Sequence, residues 1–361
     1  MRHQQLLTRF PEEWEILWIE PLVKPTLFKW LKNPRAIFRK HSNIRIASVP
    51  FLPMFDQYEL FRKLNDMLAV LLIKFYMRIF LIKNPVLLLY NPRFAPAIGK
   101  LDESLVCFDY VDDLTEFTGV PKWFERYLDL AIYKADLVFV VSQVLFEKVA
   151  DKKKERVFLL TNGVDVDHFS KALKDVELPS VLERMRRPAI GYVGVLEDWI
   201  DFRLLKSIAA RYRDYSIVLI GPAHPRVRKD VEELGSFPNV FFLGKVSYET
   251  LPNYLKGIDL CIIPFKINNL TQAANPIKVY EYLASGKRIV SSAIPEIEKL
   301  DVVKIARNMD EFTSRISESL SEPADAVRFL KIANLNTWDQ KARDMLSLIE
   351  SGLRIKSPRH D

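Results

Sequence analysis

Short runs rich in β-branched and aromatic residues recur along this chain at regular spacing, with helical patterns between them, and this alternation restricts the fold more than any other feature. Six such runs fall in the first half, at 15–20, 43–49, 85–90, 104–110, 135–142 and 156–161. Six more follow at 189–194, 215–221, 239–244, 259–265, 288–292 and 302–306. Long helical patterns fill the gaps, notably over 59–82 and 122–135. Strand and helix in alternation are the signature of βαβ units wound into a parallel sheet. The chain has 361 residues, more than the ~250–300 at which one hydrophobic core stops growing. The expected fold class is therefore α/β: two doubly wound, Rossmann-like domains facing one another across a cleft, with ligands outside the carboxyl ends of the strands. Between the halves, 162–188 is polar and without strand pattern, and reads as a linker.

One helix of the second half carries an anomaly. In "AANPIKVYEYLASGKRIVSS" (273–292), Asn275 is a good N-cap, Pro276 a natural first helical residue and Gly286 a natural end, which predicts a helix over Pro276–Ser285. Lys278 then lies in the first turn, where the exposed N–H groups already amount to roughly half a positive charge. A cation there costs energy unless an anion shares the spot. Glu281, three residues on, is one candidate, although the pair runs in the poorer order and is worth only about 0.2–0.5 kcal/mol. A ligand phosphate is the other, because the helix follows the strand at 259–265 through a loop and its N-terminus points into the crevice.

Composition excludes several classes. The chain is 49% apolar and 27% charged, as an ordinary globular protein is. Cys107 and Cys261 both lie in apolar runs and read as reduced core residues of a cytosolic protein, with no disulfide framework and no zinc spacing. The most lipid-like stretch, 64–82, carries Asp66, Lys74 and Arg78, so no spanning helix is expected. The N-terminus lacks the apolar core of a signal peptide. The net charge of +7 is uneven: no acid occurs between Glu20 and Asp56, whereas Lys24, Lys29, Lys32, Arg35, Arg39, Lys40 and Arg45 do, interleaved with Phe28, Trp30 and Phe38. Such a stretch (24–45) suits an anionic membrane surface, at about 1 kcal/mol per basic residue. A nucleic acid or plain solvation are the alternatives. No G-x-G-x-x-G follows any strand, which leaves nicotinamide or flavin chemistry without support.

Five ordered blocks then carry a resemblance: "FDYVDDL" (108–114), "ADLVFVVSQVLFEK" (135–148), "TNGVDVDHF" (161–169), "AIGYVGVLEDWIDFRLL" (189–205) and "NPIKVYEYLASGKRIV" (275–290). Together they resemble the GT-B glycosyltransferases, specifically the bacterial enzymes of teichuronic acid and exopolysaccharide assembly related to family 4 and to the xanthan glucuronosyltransferase. The resemblance implies an N-terminal acceptor-binding domain (1–165), a C-terminal nucleotide-sugar-binding domain (166–336), and a C-terminal helix and tail (337–361) packing back toward the first. It implies a donor site in which Lys278 contacts the diphosphate and Glu281 the ribose hydroxyls, with Asn275, Pro276, Tyr280, Gly194 and Arg203 around them. The implied activity is hexosyl or glycuronosyl transfer from a nucleoside-diphosphate sugar, UDP or GDP type, to a lipid-linked or polysaccharide acceptor in cell-surface polysaccharide synthesis. No metal, no other cofactor and no nucleic acid enter it. The expected location is cytoplasmic, peripherally on the inner face of the cell membrane.

"DYVDDL" places Asp109, Asp112 and Asp113 just past a strand end. An inverting transfer needs a base for the acceptor hydroxyl, and neighbouring carboxylates raise one another's pKa. Asp112 is favoured because the related glucuronosyltransferases resemble this stretch and use an aspartate there; the alternative is that Asp112 or Asp113 only caps the following helix. The triplet 165–167 imitates a metal-binding motif but matches the interdomain segment of the GT-B pattern, in which Asn162 and Gly163 read as a positive-φ turn. His168 and His224 read as loop residues. Two departures bear on the donor: Ala273 stands where family 4 has a glutamate, and Glu197, Asp198 and Trp199 replace a basic pair. The opening apolar strand of the family is not expected either, since the matching helix begins at Arg2. These departures keep a second reading open, a non-catalytic nucleotide-sugar-binding or scaffold protein of the same fold, and a third, a sugar-nucleotide epimerase.

Overall fold

The computed structural model describes residues 2–22, 39–41, 43–51, 58–174 and 176–356. Two compact units divide it, one of residues up to Leu160 together with those from Lys341 onward, the other Thr161–Gln340.

All twelve expected strands form. In the first unit, β1 (Ile16–Leu22) pairs in parallel with β3 (Ile44–Pro50), which also pairs antiparallel with the short β2 (Arg39–His41). The other strands, β4 (Val86–Leu89), β5 (Leu105–Tyr110), β6 (Leu137–Val140) and β7 (Val157–Leu159), make a parallel sheet in that order. Strands β5 and β6 are buried along their whole length, as parallel strands covered on both faces must be. Among the described residues no ladder joins β1 to β4. Contact there is made by rings instead: His3 of the N-terminal helix Arg2–Leu7 stacks on Trp18 at 4.5 Å, and Tyr90 meets both at 5.5 and 5.6 Å. Helix α1 (Glu59–Ile79) turns Asn65, Ala69, Ile73 and Tyr76 inward at spacings of three and four, and Tyr76 Oη donates to the Ser48 carbonyl at 2.9 Å. Helices α2 (Trp123–Lys134) and α3 (Gln143–Ala150) alternate with the later strands. Of the basic stretch 24–45, residues 24–38 and 42 lie outside the described residues.

The second unit holds one six-stranded, all-parallel sheet of order β10-β9-β8-β11-β12-β13, from β8 (Ala189–Val193), β9 (Ser216–Ile220), β10 (Val240–Gly244), β11 (Leu260–Ile263), β12 (Arg288–Ser292) and β13 (Lys304–Ala306). The chain runs outward from β8 to β10, then crosses back to β11 on the other side of β8. Strand order therefore reverses between β8 and β11, and a doubly wound sheet binds ligands outside the carboxyl ends of the strands at that point. Helices α4 (Phe202–Arg211) and α5 (Ile277–Ala284) follow β8 and β11, and α6 (Met309–Ser321) and α7 (Ala326–Asn334) complete the layers. Helix α8 (Trp338–Lys356) ends the described chain; its Gly352 lies against Leu105 and Leu137, where a β-carbon would come within 3.2 Å.

The segment 162–188 is not a linker. Its Val164, Phe169, Ala172, Leu182 and Met185 are buried in the second unit's core, so this stretch, polar on average, is folded on apolar anchors. Gly163 needs no positive φ either: the positive-φ residues do not include it, and a β-carbon there would lie 2.9 Å from Trp338 N and 3.0 Å from Thr337 C. Glycine is required by the close approach of another strand of backbone, which sequence-local turn rules do not anticipate.

Candidate functional site

Helix α5 follows β11 through a loop and begins at the strand-order reversal, with Lys278 its second residue. The expected end is present: Gly286 has φ +67 and donates to the Leu283 carbonyl. The expected start needs correction. Pro276, extended at φ −66, occupies the N-cap place with no side-chain cap, and Asn275 is turned away to other work. Its Oδ1 accepts from Asn162 N at 2.9 Å, its carbonyl accepts from Asn162 Nδ2 at 2.6 Å, and its Nδ2 lies 3.5 Å from Tyr280 Oη. Asn275 is thus a buried clamp on the loop before α5. Tyr280 is buried too, its ring in the core and its hydroxyl held by Asn275. Burial raises the Tyr280 pKa.

Lys278 does not trail into solvent. Its stem lies along Gly194, at the end of β8: a β-carbon on Gly194 would sit 2.2 Å from Lys278 Cε and 2.7 Å from Nζ. The ammonium stands 5.7 Å from the centroid of the buried Tyr192 ring. Gly194 itself has φ +151, and Gly221, at the end of β9, is so close that its β-carbon would meet the Gly194 carbonyl oxygen at 2.0 Å. Side-chain-free backbone at two adjacent strand ends, a lysine laid across it and the first-turn N–H groups of α5 form a patch fitted to an anion. Tyr282 holds the parts together, for its hydroxyl accepts from Val193 N at 2.8 Å across β8. Glu281 is half-buried; burial raises its pKa while the Lys278 charge pulls it down.

The loop after β8 leads into α4, where Asp201 Oδ1 caps the helix by accepting from Arg203 N at 3.0 Å and Leu204 N at 3.1 Å. Arg203 is exposed in that first turn. The acids that replace a basic pair are structural: buried Glu197 lies 3.3 Å from His224 Nδ1, and Asp198 pairs with Arg226 at 3.5 Å. Ala273 is buried. His168 stacks on Tyr248 at 4.3 Å, and Asp165 caps a short helix by accepting from His168 N at 3.0 Å. Among the described residues no group of three His, Cys, Asp or Glu could hold a metal ion.

In the first unit the three neighbouring aspartates separate by role. Asp109, fully buried, accepts from Arg2 Nε at 2.8 Å and Nη2 at 3.0 Å. Asp113 accepts from Lys148 at 2.6 Å, Thr115 at 2.7 Å and Tyr110 at 3.0 Å. Burial opposes its ionisation, yet these hydrogen bonds and the lysine charge win and its pKa is lowered. The expected mutual raising by neighbouring carboxylates is thus reversed at Asp113, and at Asp109 the pKa is raised by burial instead. Asp112 is half-buried on the loop between them. Sequence reasoning missed Arg2, Tyr192, Tyr282 and Gly221. Gly221 left a trace, as the end of the apolar run 215–221.

Comparison with known proteins bears on the fold and on part of the second unit. Residues 187–322 match the family described as Glycosyl transferases group 1. The fold is that of GT-B glycosyltransferases. It is similar to sucrose-phosphate synthase from Thermosynechococcus elongatus (TM-score 0.71, 16% identity, 94% of this chain and 89% of that one). It is similar also to Anabaena HepE, solved with UDP and glucose (TM-score 0.65, 16% identity, 93% and 99%). In sequence the chain resembles TuaH of Bacillus subtilis (strain 168), whose assignment as a teichuronic acid biosynthesis glycosyltransferase is itself provisional. The identity is 31% over 173 residues, 47% of this chain. The chain spans 43% of that relative's length.

Proposed function

We propose that this protein moves a sugar from a nucleoside-diphosphate sugar to a polysaccharide or lipid-linked acceptor in cell-surface polysaccharide synthesis, and that the second unit holds the donor. One observation carries the reading: Lys278 is laid across Gly194 at the first turn of α5, beside the strand-order reversal. Support comes from the match of residues 187–322 to glycosyl transferases and from HepE, which was solved with UDP and glucose.

In the transfer, the acceptor oxygen bonds the anomeric carbon as the bond from that carbon to the diphosphate oxygen breaks. Negative charge grows on the leaving diphosphate, and stabilising it is the largest electrostatic contribution in this reading. Lys278 and the α5 N–H groups supply the positive charge, with Arg203 adding to it. Glu281 accepts hydrogen bonds from the ribose hydroxyls. If the configuration inverts, Asp112 takes the acceptor's proton, a contribution of about 10²- to 10⁴-fold. The donor is of UDP or GDP type, hexosyl or glycuronosyl, and no metal is required. The enzyme works in the cytoplasm on the inner face of the membrane.

Calorimetric titration with UDP and GDP, in chelator and in magnesium, tests the site. Lys278→Ala should weaken the preferred nucleotide about 10- to 100-fold, and unchanged affinity would refute the assignment. The scaffold reading is favoured by Ala273, buried and without a carboxylate. It predicts nucleotide-sugar binding with neither transfer nor hydrolysis, so a product assay on the same samples separates the two.

A further inference from the structure

Helix α1 presents to solvent what a soluble helix ordinarily hides. Leu60, Leu64, Met67, Leu71, Phe75 and Ile79 are each between 49% and 69% exposed. At 100° per residue they fall within about 120° of the helix circumference. The opposite arc holds Asn65, Ala69, Ile73 and Tyr76, which are buried. The helix therefore has two apolar faces, and the fold uses only one. Twenty-one residues make the outer stripe about 31 Å long.

Charge identifies what covers it. No carboxylate occurs anywhere between Asp66 and Asp102, while Lys74, Arg78, Lys83, Arg93 and Lys100 do. By the same helical geometry Lys63 and Lys74 border the stripe on one side and Arg78 lies within it. Lys63, Lys100 and Asp66 also line the hollow formed by Met67, Val70, Leu71 and Pro96. The two acids of the helix are turned to other uses: Glu59 pairs with Lys63 at 2.9 Å, and Asp66 accepts from Tyr127. An exposed apolar ridge edged mainly by cations, its two nearby acids each paired, is complementary to a bilayer surface with anionic headgroups, where leucine and phenylalanine enter the acyl boundary and lysine and arginine meet phosphates. No helix among the described residues is long and apolar enough to cross a membrane.

We propose that the outer face of α1 is the surface on which this protein docks, lying flat, onto an anionic lipid bilayer. This deepens the location put forward above by assigning its surface, but its test reads lipid binding with no donor or acceptor present, so it can fail while sugar transfer stands. Full-length protein is sedimented with vesicles of phosphatidylcholine alone or with about 30% phosphatidylglycerol. The anionic vesicles should bind at least about 10-fold better. Leu64→Glu/Leu71→Glu/Phe75→Glu should abolish that binding while the thermal melt is unchanged. Should that variant fail to fold, Lys74→Gln/Arg78→Gln serves, with a loss of about 5-fold per charge removed (about 1 kcal/mol each). Binding indifferent to both variants overturns the proposal. So does a dimer in sedimentation velocity that the glutamate variant dissolves, which would make the stripe a contact between copies.

Discussion

With only 2.2 Å between Lys278 Cε and the place of a β-carbon on Gly194, any side chain at Gly194 must push the end of Lys278 aside. Gly194→Ala should therefore act twice. The strained φ of +151 and the clash should destabilise the fold by roughly 1–3 kcal/mol, read by urea denaturation. Nucleotide affinity should fall as well, although the lysine is retained; a folded variant with undiminished affinity would show that its placement is immaterial. Asp109 makes a second residue-scale case. Its carboxylate and the Arg2 guanidinium are both buried, so Asp109→Asn leaves a cation without its counter-charge and should cost about 3–5 kcal/mol. Replacing both with apolar residues should recover most of that in the same denaturation assay. Lys278 was legible in the sequence because helix-start and helix-stop signals are local. Its partner Gly194 was placed near it by the family resemblance and not by pattern, because nothing in a single chain's periodicity says which strand end will face which helix.

At the scale of elements, α5 is positioned by a clamp rather than by a cap. Asn275→Ala removes the side-chain acceptor of the buried Asn162 backbone N–H and the contact with Tyr280 Oη, which should cost about 1–3 kcal/mol and loosen the helix start. Amide exchange over 277–280 should quicken accordingly. The N-cap expectation failed at Asn275 because its side-chain oxygen accepts from the backbone N–H of Asn162, far away in the chain, instead of from the helix's own N–H. In the first unit, the ring cluster between β1 and β4 titrates. Burial pulls the His3 pKa from 6.5 to about 4. The unfolded chain then binds the extra proton first, so stability rises with pH across roughly 4 to 6.5 and is lost as pH falls through that window. The loss is at most about 3 kcal/mol, less what partial exposure screens. His3→Phe keeps a ring in the stack and should flatten that part of the pH profile in denaturation measured at several pH values.

For the molecule as a whole, a ligand that binds one unit should protect that unit. UDP or GDP at 100 times its dissociation constant should add about 2.7 kcal/mol to the stability of the second unit. Hydrogen exchange should slow around 190–205 and 264–285 and stay unchanged in β4 to β7; protection confined to the first unit would move the donor site. The sequence by itself determined all twelve expected strands, the long helices, and a cation at the tip of one of them. Those features rest on periodicity and on capping and turn residues within a few positions of one another. Only the tertiary structure decided that β8 and β11 flank the reversal of strand order, that the first unit's strands divide into two sheets, and how closely the Lys278 stem lies on Gly194. It also decided which aspartates are spent on Arg2 and Lys148, and that one helix keeps an apolar face outward. Pairing and burial join residues far apart in the chain, and their energies exist only once the chain is compact.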